Sequence, residues 1–554
     1  MNNKLQKYFP LLVLIGIVLN ATGLTNPILE PDGTLYATIA KHMALTNDWI
    51  NLFGDNHDWL DKPHFPFWVT AASYKAFGIN SFAYKFPGFV FWLIGLRFTY
   101  LLALRMYNKE TAQAAVLVYL VALHTVIANF DVRAEPYLTT LTIASIYYFY
   151  REYKERKWQF LLAAAFFAGC AVMTKGIFAL LTIGGGFVIY WIVTKQWKEF
   201  VNLRWYILVA LTGIFILPEL YCLYAQFDAH PEKMVFGQTG VSGVKFFFWD
   251  SQFGRFFNTG PIKGSGDPSF FLHTMLWAFL PWSLFFYMAI FKLIRERKQN
   301  TGKERWIIYG SAGLTFILFS LSSFQLPHYI IIFFPQCAII AADYLLSVYA
   351  SVNARLKKIV HIILLVLLFV GAVLVVMLAV FTQTSLTYLC IILAGIVLII
   401  AIFFWSKASL LNSFFMAYAF GFLLYPFLNF FFYPMLFKYQ SGMQAAEWIK
   451  QNGVPGKLAM YKEFSHAFEF YSAGEPTWIY DTADMHKHII TEGSMIVYMN
   501  KTDSDSLAQS GFVVKSLKHF DYFRISMLTG SFLNPSTRNS AVTKMEVAEI
   551  SRKE

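Results

Sequence analysis

The stretch EPDGTLYATIAKHM, residues 30–43, follows closely on an apolar run from Phe9 to Leu24. Two carboxylates, Glu30 and Asp32, stand at its head. Behind them Leu35, Tyr36, Ile39, Ala40 and Met43 recur at helical spacing, with Lys41 and His42 on the other side. Such a segment reads as a helix lying in a membrane interface. No small-residue cleavage site separates it from the apolar run, so Phe9 to Leu24 reads as a retained first span and not as a removed signal peptide.

The rest of the chain is as apolar as this beginning. Of 554 residues, 57% are hydrophobic, 19% aromatic and 14% charged, against about a quarter charged in a soluble domain. Runs of roughly 20 apolar residues mark membrane spans. They fall near 9–25, 85–105, 112–129, 136–150, 158–173, 176–194, 205–225, 269–291, 306–323, 329–349, 359–381, 385–405 and 410–432. The expected fold is thus an all-α polytopic membrane protein with about thirteen spans.

The net charge of +12 is distributed by side. With the N-terminus in the cytoplasm, the inner connections carry NKLQK, Arg105 with Lys109, REYKERK, KQWKEFVNLR, KLIRERKQNTGKER, NARLKK and Lys407, whereas the short outer ones carry only Arg133 and Lys175. A bias of about tenfold sets orientation by the positive-inside rule. Basicity is therefore topological and excludes nucleic-acid binding. Cys170, Cys222, Cys337 and Cys390 fall in apolar spans at unrelated spacings, which suggests neither a disulfide framework nor a zinc motif.

Three outer segments are too long to be turns: 26–84, 226–268 and the part from 434. The first holds a second amphipathic stretch, FPFWVTAASYKAF at 65–77, so two interfacial helices are expected there. Residues 1–433 form the membrane domain. From 434 to 530 a helix at 442–451 and short strands, KLAMYKEF, FEFYS, TWIYD, MIVYMN, GFVVKSL and FDYFRISML, suggest a small α/β domain outside the membrane. Residues 531–554 are polar and read as a disordered tail.

Candidate chemistry gathers on the outer side. Asp32 either N-caps its helix or acts as a base at the interface. Asp61 is followed by Lys62 and Pro63. Asp131, Arg133 and Glu135 crowd one short turn, either pairing among themselves or serving a ligand. Lys175 in MTKGIF is a cation on the sparsely basic side, which either snorkels to water or meets a phosphate. Arg255 lies among aromatic residues in FFFWDSQFGRFFNTG and suits a bidentate phosphate contact. His328 and Tyr329 close the polar turn SSFQLPHY.

In order along roughly residues 9–340, these pieces resemble the lipid A aminoarabinose transferases and their protein-mannosyltransferase-like relatives, which use polyprenyl-phosphate sugars and share the class-C glycosyltransferase (GT-C) membrane fold. The matching positions are Asp32, Tyr36 with Ala37, Asp48 with Trp49, Asp61 to Pro63, Arg133 with Glu135, Thr174 to Gly176, Arg255 with Phe256, Pro281 with Trp282, and Leu326 to Tyr329. The resemblance implies a multi-pass protein of the bacterial inner membrane whose C-terminal domain is periplasmic, a polyprenyl-phosphate sugar donor, and a lipid A, glycan or protein acceptor among membrane lipids. It implies Asp32 and Asp61 as catalytic, Lys62, Lys175 and Arg255 as donor phosphate ligands, and Tyr36, Arg133, Glu135, His328 and Tyr329 as substrate contacts. Gly33 stands where the family has a second acid, Asp61 where it has Glu, and SSFQ where it has a Lys. A family His in the second outer loop, a potential ligand for a divalent metal, has no counterpart. The alternative function is a transporter or flippase of a lipid-linked or anionic substrate, for which charges inside spans are expected; only Glu219 and Asp343 are so placed.

Overall fold

The computed structural model describes residues 3–296 and 304–553. Part of the basic run KLIRERKQNTGKER lies outside the described residues. Among the described residues, eight helices are long and apolar enough to cross a membrane, or nine if Lys109–Leu120 and Leu123–Phe130, bent by 55°, form one broken span. Each of the thirteen expected spans has a helical counterpart, but that count exceeds what length and hydropathy support. Ala179–Val193 and Arg305–Leu321 are shorter. The run over 269–291 is two helices, Phe270–Ala278 and Ser283–Arg295, divided at Pro281, whose ring and missing N–H cannot continue a helix. Cys170, Cys222 and Cys337 are buried, and Cys390 is exposed on its helix.

The first outer loop contains both expected helices, Asp32–Thr46 and Phe65–Phe77. Asn47 and Gly78, both at positive φ, end them. Asp32 does not cap its helix: the capping position is Pro31, with no side-chain bond. Nor does the helix keep a polar face in water. Nine of its fifteen residues are buried, Lys41 among them, because the C-terminal domain covers it.

That domain is a five-stranded sheet with helices against it. Strand order is Thr477–Ile479, Lys457–Tyr461, Ser494–Asn500, Thr543–Arg552, Phe512–Tyr522. The first three strands pair in parallel and the last two pairings are antiparallel. Three expectations fail here. FEFYS belongs to a helix, His466–Tyr471; GFVVKSL and FDYFRISML are not two strands but contribute to one, Phe512–Tyr522; and the expected disordered tail holds two short helices, Gly530–Leu533 and Arg538–Ala541, and the strand Thr543–Arg552, between two neighbours in the sheet. Met545, Val547, Ala548 and Ile550 are buried there. Glu546 is buried too and paired with Lys501 at 3.2 Å.

Close helix packing depends on small residues, as it must where lipid offers no hydrophobic drive. A Cβ on Gly186 would stand 2.1 Å from the Ile307 carbonyl oxygen and 3.0 Å from Ser311 N, where Ser311 Oγ donates to Thr182 O at 2.7 Å. Gly186→Ala should therefore cost about 1–3 kcal/mol as overpacking, read as a lower thermal midpoint in detergent. An unchanged midpoint would show that these helices can part freely.

Candidate functional site

The outer ends of several helices and the two long loops enclose two adjoining hollows. One is lined largely by apolar side chains such as Leu138, Phe178, Leu318, Phe319 and Ile332. The other is lined mostly by polar and charged side chains, and all ten candidate residues line it: Asp32, Tyr36, Asp61, Lys62, Arg133, Glu135, Lys175, Arg255, His328 and Tyr329. Asp61, Lys62, Lys175, Arg255, Phe324 and Tyr329 belong to both. A layer of charge thus separates an apolar compartment from a polar one.

Each cation in this layer has a carboxylate. Asp61 Oδ2 accepts from Lys62 and Oδ1 from Arg255, so one acid holds two cations side by side. The Arg255 guanidinium also stands 5.5 Å from the Phe324 ring centre. Lys175 donates to Glu135 and lies 3.8 Å from the centre of the Tyr329 ring. Arg133 donates to Asp32 Oδ2 at 2.5 Å and, through Nη2, to Asp131 Oδ2 at 3.0 Å. His328 Nε2 is 3.7 Å from Glu135. The pairing of Arg133 is therefore both local, to Asp131, and long-range, to Asp32. Lys175 does not snorkel away; it is built into the wall.

Burial and charge shift the loop groups in opposite senses. Burial lowers Lys62 to about 8, helped by Arg255 and Lys175 and opposed by Asp61. Burial pushes Asp61 up, but Lys62 and Arg255 outweigh it and hold its carboxyl below the ordinary value. For Arg133, Asp131 and Asp32 overcome the effect of burial and keep the guanidinium charged. Burial first, then Asp61 and Asp32, raise the Tyr36 phenol well above its usual range, so it remains a neutral donor.

Residues with no motif of their own hold this layer in place. Glu219 accepts from His64 N at 3.0 Å and faces His64 Nδ1 at 3.0 Å, while His64 Nε2 faces the Ile50 carbonyl at 2.9 Å. This pins the chain immediately after Asp61, Lys62 and Pro63. Gln252 Nε2 donates to Lys175 O at 3.2 Å. Gly176, at φ +98°, leaves the room that Gln252 fills, since a Cβ there would lie 2.2 Å from Gln252 Nε2. An acid within the apolar span over 205–225 is the only sequence signal for Glu219; Gln252 has none.

Asp61 is shared by two cations, and among the described residues no group of three or more His, Cys, Asp and Glu side chains stands in ligating geometry.

Residues 61–221 match the family described as dolichyl-phosphate-mannose-protein mannosyltransferase, a segment that holds Asp61, Lys62, Arg133, Glu135 and Lys175. An uncharacterized protein of Aquifex aeolicus is 26% identical over 455 residues, covering 81% of this chain and 83% of its own length. An undecaprenyl phosphate-alpha-4-amino-4-deoxy-L-arabinose arabinosyl transferase 2 of Sodalis glossinidius is 25% identical over 328 residues, which cover 57% of this chain and 55% of that one. The chain thus aligns with little more than half the length of that relative. The fold resembles ArnT of Cupriavidus metallidurans bound to undecaprenyl phosphate, with a TM-score of 0.73, 18% identity and 98% of each chain covered. The GT-C fold and the resemblance to polyprenyl-phosphate sugar-dependent glycosyltransferases are borne out by these matches, and the transporter alternative finds no support in them.

Glu219→Leu strips the His64 backbone N–H and ring of their buried partner. The expected cost is about 1–3 kcal/mol, measured as a drop in thermal midpoint together with weaker protection of residues 61–64 in hydrogen exchange. Wild-type protection at 61–64 would mean that Glu219 does not anchor the loop.

Proposed function

We propose that the chain is an integral-membrane glycosyltransferase that moves a sugar from a polyprenyl phosphate to an acceptor at the outer face of the bacterial inner membrane. The observation that carries this reading is the set of three cations, Lys62, Lys175 and Arg255, on the border between an apolar and a polar hollow. An isoprenoid tail suits the first and a sugar the second. The phosphate between them meets the cations. The names of the arabinosyl transferase relatives favour undecaprenyl phosphate as carrier and an amino-pentose as the sugar. The resemblance extends the choice of acceptor to lipid A, a glycan or a protein. The basic connections favour a cytoplasmic N-terminus by the positive-inside rule, and with it a periplasmic site and C-terminal domain.

In the transfer, an acceptor oxygen forms a bond to the sugar's anomeric carbon. The bond from that carbon to the phosphate oxygen breaks, and its electron pair leaves with the phosphate. The carrier changes from a singly charged diester to a monoester of higher negative charge. Charge therefore develops beside Lys62, Lys175 and Arg255, where fixed cations in a site poor in water stabilise it most. Asp32 uses one oxygen to accept from Arg133, and its carboxylate lines the polar hollow. It orients an acceptor hydroxyl and takes its proton; a phosphate acceptor, already ionised, needs only the orientation. Asp61 holds Lys62 and Arg255 together, and Arg133 holds Asp32.

The assay is purified protein in lipid nanodiscs with labelled undecaprenyl-phosphate sugar. Asp32→Asn should lower kcat by about 100-fold or more while donor binding persists; full turnover in that variant would sink the role given to Asp32. Lys62 is cationic below its value of about 8, so donor KM should rise as pH climbs through 8, by up to about tenfold per unit. Bound phosphate raises the Lys62 value and softens the rise. In Lys62→Arg the rise should vanish, because guanidinium stays charged; a rise that persists would place the titrating group elsewhere.

A further inference from the structure

One short helix of the C-terminal domain, His466–Tyr471, lies against the helix that begins with Asp32 and grips it at both ends. On one side, Glu30 Oε1 accepts from Ser465 Oγ at 2.7 Å and from Ala467 N at 3.2 Å. On the other, the Lys41 ammonium is shared among the carbonyl oxygens of Glu469, Phe470, Ser472 and Gly474, at 2.7, 3.2, 2.9 and 3.0 Å. Lys41 is only 2% exposed. A buried ammonium is tolerated when its donors are satisfied, and every partner here comes from the C-terminal domain.

Further bonds tighten the same seam. Tyr471 Oη accepts from Ile28 N at 2.8 Å, and Gln440 bonds both Glu30 N at 3.0 Å and Ile28 O at 3.0 Å. Asp32 lies between the two gripped residues, two positions after Glu30 and nine before Lys41. Tyr36, which also faces the polar hollow, lies between them as well. By contrast, the cations of the phosphate layer sit on other elements: Lys62 follows a small antiparallel ribbon, Phe53–Gly54 paired with His57–Asp58, Lys175 ends Trp158–Lys175, and Arg255 follows Phe246–Gly254.

We infer that Glu30 and Lys41 are positioning residues through which the periplasmic domain sets the place of Asp32, so that the domain is a working part of the site. The inference rests on the role of Asp32 proposed above. Its consequence is a separation of effects. Loosening the grip moves the acceptor-side carboxylate and leaves the donor-side cations where they are. A displacement of about 1 Å can cost up to 100-fold in rate, so kcat should fall while donor KM holds.

The test compares folded variants in the same nanodisc assay. Lys41→Met keeps the stem and removes the donors; kcat should fall ~10- to 100-fold, with donor KM within about twofold of wild type. Hydrogen exchange should quicken over residues 30–46 and stay unchanged over 61–63 and 251–256. Glu30→Leu should behave likewise, and Glu30→Gln, whose amide oxygen can still accept both bonds, should restore kcat. Ser465→Ala, which withdraws one hydrogen bond from Glu30, is the milder probe if the others do not fold. Wild-type kcat in folded Lys41→Met and Glu30→Leu overturns the inference. So do equal losses in kcat and KM with faster exchange at every site, or failure of all three to fold, since the contacts are then merely structural. Asp32→Asn run alongside separates the two ideas: if it is fully active, the role of Asp32 fails; if it is inactive while Lys41→Met is normal, only the positioning role fails.

Discussion

Three cations gathered on one wall repel one another, and the carboxylates of Asp61 and Glu135 are what allow them to stay together before any ligand arrives. Two unit charges about 4 Å apart at an effective dielectric constant of about 20 interact by ~4 kcal/mol. Asp61 between Lys62 and Arg255 turns that repulsion into two attractions, and Glu135 does the same for Lys175. The cations are thus arranged in advance, and in the transfer proposed above a phosphate would meet donors that need little rearrangement. Such advance arrangement is what makes electrostatic stabilisation effective where charge builds on a leaving group.

The layer is only as good as its supports, and these come from far along the chain. Glu219, 155 residues from His64, pins the loop that carries Asp61 and Lys62. Gln252 reaches the carbonyl of Lys175 in a space that Gly176 leaves open. Arg133 reaches across to Asp32. Polar groups away from bulk water are costly unless paired, so each support is also a constraint on the position of its neighbour.

The C-terminal sheet domain extends the same logic. A free interfacial helix would keep Lys41 in water. Here the ammonium is buried against carbonyls of another domain, and Glu30 is bound two residues before Asp32. The helix that lends its first residue to the polar hollow is therefore fixed from above by the sheet domain and from below by the membrane helices.

What could be read along the chain was whatever local pattern carries. Apolar runs announce spans, the loop charges announce orientation, and the two helices of the first outer loop appear where their periodicity puts them. Asp32, Asp61, Lys62, Arg133, Glu135, Lys175, Arg255 and His328 could be singled out as polar groups close to apolar stretches, and the family resemblance added Tyr36 and Tyr329. Pairing was not legible. Whether Asp32 capped its helix or met Arg133, whether Lys175 snorkelled or met Glu135, and whether Lys41 faced water depended on residues 40 to 430 positions away. The strand Thr543–Arg552 was missed for the same reason: the segment is polar overall, and its place between Ser494–Asn500 and Phe512–Tyr522 depends on pairing that no local pattern shows. Composition and periodicity determined the kinds of element and the outer location of the chemistry, because burial of apolar surface is a local preference summed along the chain. Only the tertiary structure decided which charge neutralises which, because Coulomb attraction and hydrogen bonding act on distance in space.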